Sequence, residues 1–218
     1  GTLEEDAQRR DFTINALYYD PVSERILDYA NGVHDIRNHL IRLIGDPKQR
    51  YQEDPVRMLR AVRFAAKLNF GIEKHTAAPI RELAPMLREI PSARLFEEVL
   101  KLFLGGHGVA SFEGLERYGL FDVMFPESGK ALRSNRSGAL RRMLIEGLAN
   151  TDQRVANDEP VSPSFLFALL LWPAFCRALA SLQKQGVALE EAQRRAADRV
   201  TVQQLSTIAL PRRFSLPM

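Results

Sequence analysis

Cysteine is nearly missing: Cys176 is the one thiol in 218 residues. No disulfide can form within the chain, and a thiol inside an apolar run reads as a small buried hydrophobe rather than a nucleophile. A reducing, cytoplasmic setting is expected. Zinc-type ligand sets are missing too, because His34, His39, His75 and His107 have no partners at metal-ligand spacing. No phosphate loop is present, since Gly105-Gly106-His107-Gly108 lacks the Lys-Ser/Thr ending. There is no Gly-x-Ser-x-Gly elbow of the serine hydrolases. The longest apolar run, Phe165 to Cys176, contains Pro173 and falls well short of the ~20 residues needed to cross a bilayer. It reads as a core helix, and no membrane partner is expected. The chain opens Gly-Thr-Leu-Glu-Glu, without Met and without a basic-then-apolar leader. No signal peptide is expected, and an opening that runs straight into a motif suggests a fragment of a longer protein.

What is present is the composition of an ordinary soluble domain or pair of domains, 45% apolar and 26% charged. Thirty basic against 27 acidic residues give a net charge of +3 and a pI near 9.2. That balance is compatible with a polyanionic partner but does not demonstrate one.

Strand signals are confined to the first part of the chain. Phe12 to Tyr19 is β-prone and ends at the Asp20-Pro21 turn, and Arg25 to Tyr29 can pair back as a hairpin arm. Asn31-Gly32 is a second turn, followed by a short polar helix and a strand-like Leu40 to Ile44. From residue 46 the pattern is helical. Asp46-Pro47 and Asp54-Pro55 each place a capping acid before a proline suited to the first helical position. Helices are expected over 54–69, 76–89, Ser92 to the Gly105-Gly106 stop, and onward to Tyr118. The Gly-, Ser- and Arg-rich stretch 126–138 reads as a mobile loop. Helices over 139–151, 163–185 and 189–209 complete the pattern, with Ser162 capping the long one and Pro173 kinking it. The expected fold is mainly α: a small β-containing piece followed by a helical array. A few strands cannot bury both faces of a sheet, so more of an N-terminal domain is expected elsewhere.

Three segments carry chemistry. In Arg9-Arg10-Asp11-Phe12-Thr13-Ile14-Asn15, two guanidiniums suited to phosphate or ribose oxygens flank a carboxylate that can accept from a sugar hydroxyl. Strand alternation would put Asp11, Thr13 and Asn15 on one face. The plain alternative is a surface ion pair at a strand entrance. In Glu53-Asp54-Pro55-Val56-Arg57, the acid and the arginine three residues on offer an acceptor and a donor fork that can read a base edge. Arg57, Arg60, Arg63 and Lys67 follow at spacings that make one basic stripe, able to track a phosphate chain. The alternative is a solvated helix face with a capping Asp54. In Pro91-Ser92-Ala93-Arg94-Leu95-Phe96-Glu97-Glu98, Ser92 is an N-cap, and Arg94, Glu97, Glu98 and Lys101 can pair along a helix that buttresses its neighbours.

In order along the chain, RRDFTINAL at 9–17, EDPVRMLRAVRF at 53–64 and PSARLFEEVLKL at 91–102 resemble the later motifs of the polymerase-β-like nucleotidyltransferases, which include bacterial poly(A) polymerases and CCA-adding enzymes. IRLIGDPKQRYQEDPVRMLRAVRFAAKL and NTDQRVANDEPVSPSFLFALLLW look more like the poly(A) polymerase branch. The resemblance implies a head, neck, body and tail: here residues 1–45 as the last piece of the head, 46–125 as the neck and 126–218 as the body. It implies ATP as substrate, RNA 3′ ends as partner, and two Mg²⁺ ions held by an Asp-x-Asp pair of the head. It implies Asp11 as a catalytic acid, Arg9, Arg10, Asn15, Asp54, Arg57 and Arg60 as nucleotide contacts, and Arg63 and Lys67 as RNA contacts. The sequence departs from the family in lacking any Asp-x-Asp; Glu4-x-Asp6 has the spacing but not the place. No metal ligand is therefore expected in this chain, and alone it is expected to be inactive. A basic tail is expected beyond Met218. The rival expectations are CCA addition to tRNA, from CTP and ATP, and a helical RNA-binding module without activity.

Overall fold

A hairpin does form near the start, but the segment that leads into it is shorter as a strand than its composition suggests. In the computed structural model, which describes residues 1–209, helix α1 (Leu3–Arg9) opens with a capping box between Thr2 and Glu5. Phe12 makes only an isolated bridge to Leu43, and Thr13–Asn15 is a turn of 3₁₀ helix. Strand β1 (Leu17–Asp20) then pairs antiparallel with β2 (Arg25–Asp28). The expected alternation of Asp11, Thr13 and Asn15 is thus overturned, because the 3₁₀ turn interrupts the strand. Asn31, at positive φ, leads into α2 (Gly32–Arg37). The expected strand over 40–44 contracts to β3 (Leu40–Ile41), which pairs parallel with β4 (Gly71–Ile72).

The chain divides into two compact units, 1–86 and 87–218. In the first, α3 (Pro47–Glu53) starts at Asp46, whose carboxylate accepts the Gln49 amide at 2.8 Å. Helix α4 (Val56–Leu68) starts two residues later than expected. Pro55 occupies its cap position, while Asp54 Oδ1 accepts the Val56 amide at 3.2 Å. Val56, Met58, Leu59, Ala61 and Val62 are its buried face, the apolar stripe that helical spacing requires. The single helix expected over 76–89 is broken into α5 (Lys74–Ala77), α6 (Ile80–Leu83) and a 3₁₀ segment Ala84–Glu89. Pro79 and Pro85 lack the amide a continuous helix needs.

The second unit is helical throughout its described part: α7 (Ser92–Phe103), α8 (Gly108–Arg117), α9 (Leu120–Met124), α10 (Pro126–Ser134), α11 (Ala139–Ala156), α12 (Pro163–Lys184) and α13 (Leu189–Leu205). Pro91, not Ser92, is the cap of α7, and it makes no side-chain capping bond. The expected mobile loop over 126–138 is mostly α10. Pro126 starts it, and Ser128, Gly129 and Ala131 are buried, with the Ser128 hydroxyl donating to the Leu170 carbonyl of α12 at 2.8 Å. Small residues there permit close approach rather than disorder: a Cβ on Gly129 would collide with Asp122. Ser162 caps α12 as expected, accepting the Phe165 amide at 3.2 Å. By length and composition α12 is apolar enough to cross a membrane. Here its Leu166, Phe167, Leu169, Leu170, Leu171, Pro173 and Ala174 are buried as a core helix, packed between α10 and α13. Phe96, Phe167, Phe125, Phe121 and Phe112 form a continuous run of ring contacts at 5.0–6.3 Å through this core. The last part of the expected body, 210–218, lies outside the described residues.

Candidate active site

Two motifs that stand about forty to fifty residues apart in the sequence are bound together side chain by side chain in the first unit. Arg60, on the second turn of α4, donates from Nε at 2.6 Å and from Nη2 at 2.5 Å to Asp11 Oδ2. The other oxygen of Asp11 accepts the Phe12 amide at 2.9 Å and Asn15 Nδ2 at 3.0 Å. The Asp11 side chain is 12% exposed, and both of its oxygens accept protein donors, as a largely buried polar group requires. Asn15 reaches Asp11 because the 3₁₀ turn folds it back, not because of strand alternation.

Arg50, from α3, donates from Nη2 to the carbonyls of Arg9 at 3.1 Å and Arg10 at 2.8 Å. Its Nη1 donates to Glu53 Oε2 at 2.8 Å, and Arg57 Nη1 donates to the same oxygen at 3.0 Å and to the Arg50 carbonyl at 2.7 Å. The bond from Arg57, reinforced by Arg50, holds the Glu53 carboxyl below the usual carboxylate range. Both hydrogen bonds of Arg57 run from Nη1, on a side chain 16% exposed, so one edge of its fork is fixed by protein acceptors. Asp54 sits half-buried at the junction of α3 and α4.

Arg9 and Arg10 stand at the surface. Arg10 donates from Nε and Nη2 to Asp6 Oδ2 at 3.1 and 2.9 Å, and the Tyr18 hydroxyl donates to that oxygen at 2.6 Å. The hydrogen bond from Tyr18, and then those from Arg10, lower the Asp6 carboxyl.

The basic stripe does not survive as one open track. Arg57 and Arg60 turn onto Glu53 and Asp11, and the Arg63 guanidinium lies over the Phe64 ring at 4.7 Å. Of the four, Lys67 is exposed and the three arginines are half-buried. Spacing alone did not single out Arg50 and Glu53, although Arg50, Glu53 and Arg57 fall three and four residues apart, the signal by which they could have been found. Among the described residues no three His, Cys, Asp or Glu side chains gather as a metal site, and both oxygens of Asp11 are already occupied by protein donors. The Asp11 carboxylate, with both oxygens taken by protein donors, does not fit a Mg²⁺ ion.

The comparisons with known proteins agree with the motifs. The model of the poly A polymerase head domain matches residues 1–42, and that of the probable RNA and SrmB-binding site of polymerase A matches residues 69–132. Poly(A) polymerase I of Salmonella typhi is 46% identical over 216 residues, 99% of this chain and 46% of that protein. A CCA-adding enzyme of Lactobacillus helveticus is 45% identical over 111 residues, 51% of this chain and 28% of that protein. The CCA-adding enzyme of Bacillus stearothermophilus, solved in complex with CTP, superimposes with a TM-score of 0.58 at 25% identity, covering 92% of this chain and 60% of that one. The chain thus spans less than half the length of the poly(A) polymerases it matches. Over nearly all of its own length it closely matches part of bacterial poly(A) polymerase I, and it shares the nucleotidyltransferase fold and superfamily with the CCA-adding enzymes.

Proposed function

We propose that the protein to which this chain belongs extends RNA 3′ ends with ATP without a template, and that this chain supplies nucleotide selection and RNA binding. In that reaction the 3′ hydroxyl attacks the α-phosphate and pyrophosphate leaves. The single observation that carries the reading is the convergence of the Arg9–Asn15 segment on α3 and α4 through Arg50 and Arg60. It supports the reading because Arg60 of α4 holds Asp11, the sugar-type acceptor, while Arg50 links the Arg9 and Arg10 carbonyls to Glu53, which Arg57 also binds.

In this reading Asp11 accepts from a ribose hydroxyl, with Arg60 and Asn15 setting its orientation, and Arg9 and Arg10 contact phosphates. Asp54 and Arg57 read the base, while Arg63 and Lys67 meet RNA. Residues 1–45 close the head, 46–125 form the neck and 126–218 the body, an assignment supported by the head-domain match at 1–42. Mg²⁺, when bound, stabilises charge on the attacking and leaving oxygens, and it belongs to residues outside this chain. The lone Cys176, half-buried with its thiol pushed up by burial, suits a cytoplasmic setting. A second reading, CCA addition, is favoured by the 45% identity to a CCA-adding enzyme over 111 residues.

The test is nucleotide choice in the full-length protein. Arg57→Ala is expected to weaken preference for ATP by ~1–3 kcal/mol, the size of one bidentate base contact. Asp54→Ser keeps a capping oxygen for the Val56 amide, so it should preserve the melting temperature while disturbing nucleotide choice. Ratios of kcat/KM for ATP, CTP and UTP that stay unchanged in both variants would sink the base-reading role. A wild-type protein that prefers CTP then ATP on tRNA would decide for the second reading.

A further inference from the structure

Asp35 is the most deeply buried carboxylate among the described residues, 1% exposed, and none of the contacts described above uses it. It sits on α2, whose first turn is held by Asp28: Oδ1 accepts the Gly32 amide at 2.8 Å and Oδ2 the Val33 amide at 2.9 Å. Gly32 brings α2 against the turn of Thr13–Asn15, since a Cβ there would collide with the Thr13 carbonyl oxygen. The two oxygens of Asp35 accept Arg42 Nε at 3.2 and 3.0 Å, and Oδ2 also accepts the Thr13 hydroxyl at 2.7 Å. The Thr13 amide in turn donates to the Arg42 carbonyl at 3.0 Å. Thr13 is therefore tied to Arg42 twice, directly by its backbone and through Asp35 by its side chain.

Burying a carboxylate is costly, and well-packed apolar groups of the same volume commonly serve stability as well or better. What a buried carboxylate adds is direction: it fixes where a hydroxyl points. Thr13 opens the 3₁₀ turn, and that turn is what returns Asn15 Nδ2 to Asp11 Oδ1 at 3.0 Å.

We propose that Asp35 is a positioning residue for nucleotide binding: with Arg42 it clamps the Thr13 hydroxyl, sets the 3₁₀ turn, and so aims Asn15 and the Asp11 carboxylate at the nucleotide sugar. This rests on the reading of Asp11 as a sugar contact. Asp35 touches no substrate; it acts through Thr13.

Asp35→Asn also removes the counter-charge of Arg42 in a buried place, so the decisive pair is Thr13→Val, which keeps shape and loses the hydroxyl, and Thr13→Ser, which keeps it. In the full-length protein, Thr13→Val is expected to raise KM for ATP roughly tenfold with a much smaller change in kcat, while Thr13→Ser stays within about twofold of wild type. In the 218-residue chain, the Asn15 side-chain amide resonance should move in Thr13→Val and not in Thr13→Ser. An unmoved KM in Thr13→Val, or an equal rise in Thr13→Ser, overturns the proposal. Asp11→Asn separates the two readings: if it leaves KM for ATP unchanged, the role of Asp11 falls. The Asn15 resonance alone then decides the clamp, and an unmoved resonance overturns it.

Discussion

Arg60 spends both Nε and Nη2 on a single oxygen of Asp11, Oδ2, at 2.6 and 2.5 Å, which leaves Oδ1 to the Phe12 amide and Asn15. The pair joins the segment after α1 to the second turn of α4. Charge-assisted bonds of this kind contribute about 1.5–3 kcal/mol each when water is largely excluded. Removing one partner leaves the other without its hydrogen bonds in a largely buried place. Arg60→Ala and Asp11→Asn should therefore each destabilise the 218-residue chain. A double-mutant cycle by urea denaturation should give a coupling of about 1–3 kcal/mol. A coupling near zero would mean that the two side chains do not hold the motifs together.

Glu73 predicts a pH dependence. Burial pushes its carboxyl up, but the amides of His75 and Thr76, the His75 ring and the nearby Arg42 outweigh this and lower it from 4.5 to about 2. Its oxygens accept the Thr76 amide at 3.0 Å and lie 3.6 Å from Arg42 Nη1. A folded pKa below the unfolded one means that the stabilisation is complete above the unfolded value. It is lost as pH falls from about 4.5 through about 2. The contribution at neutral pH is ~3 kcal/mol. Comparing Glu73→Gln with wild type by urea unfolding from pH 7 to pH 3 should show a gap that narrows as pH falls. A gap constant across that range would remove Glu73 as the cause.

RNA binding by the 218-residue chain should be weak, without sequence preference and steeply salt-dependent. Arg57 and Arg60 are engaged with Glu53 and Asp11, whereas Lys67 is exposed. Lys67→Ala should therefore lower the slope of log affinity against log salt by about one contact. Binding that ignores salt, or an unchanged slope, would count against a phosphate contact at Lys67.

Local chemistry was legible without coordinates. Asp46-Pro47 and Ser162-Pro163 announce helix starts because a short polar side chain can take an orphan amide just where proline needs none, and both do so here. The apolar spacing of Met58, Leu59 and Val62 gives the buried face of α4, and the three motif segments give the family. The stretch 126–138 misled, because Ser128 and Gly129 have loop composition but small side chains also let α10 approach Asp122 and Leu170 closely. Pro79 and Pro85 break what the surrounding residues would otherwise continue as one helix.

What the sequence determined by itself is whatever acts within about one helical turn: caps, faces, turns and motif identity. Only the tertiary structure decided which charges meet. Arg60 finds Asp11 across 49 positions, Arg50 finds the Arg9 and Arg10 carbonyls across 41 and 40, and Asp35 finds Thr13 across 22. Periodicity carries no term for such pairs, because a guanidinium at helical spacing looks the same whether it faces solvent or a buried acid. The choice is made by desolvation: a buried carboxylate must find its donors within the fold, and those donors come from whichever elements the packing brings near.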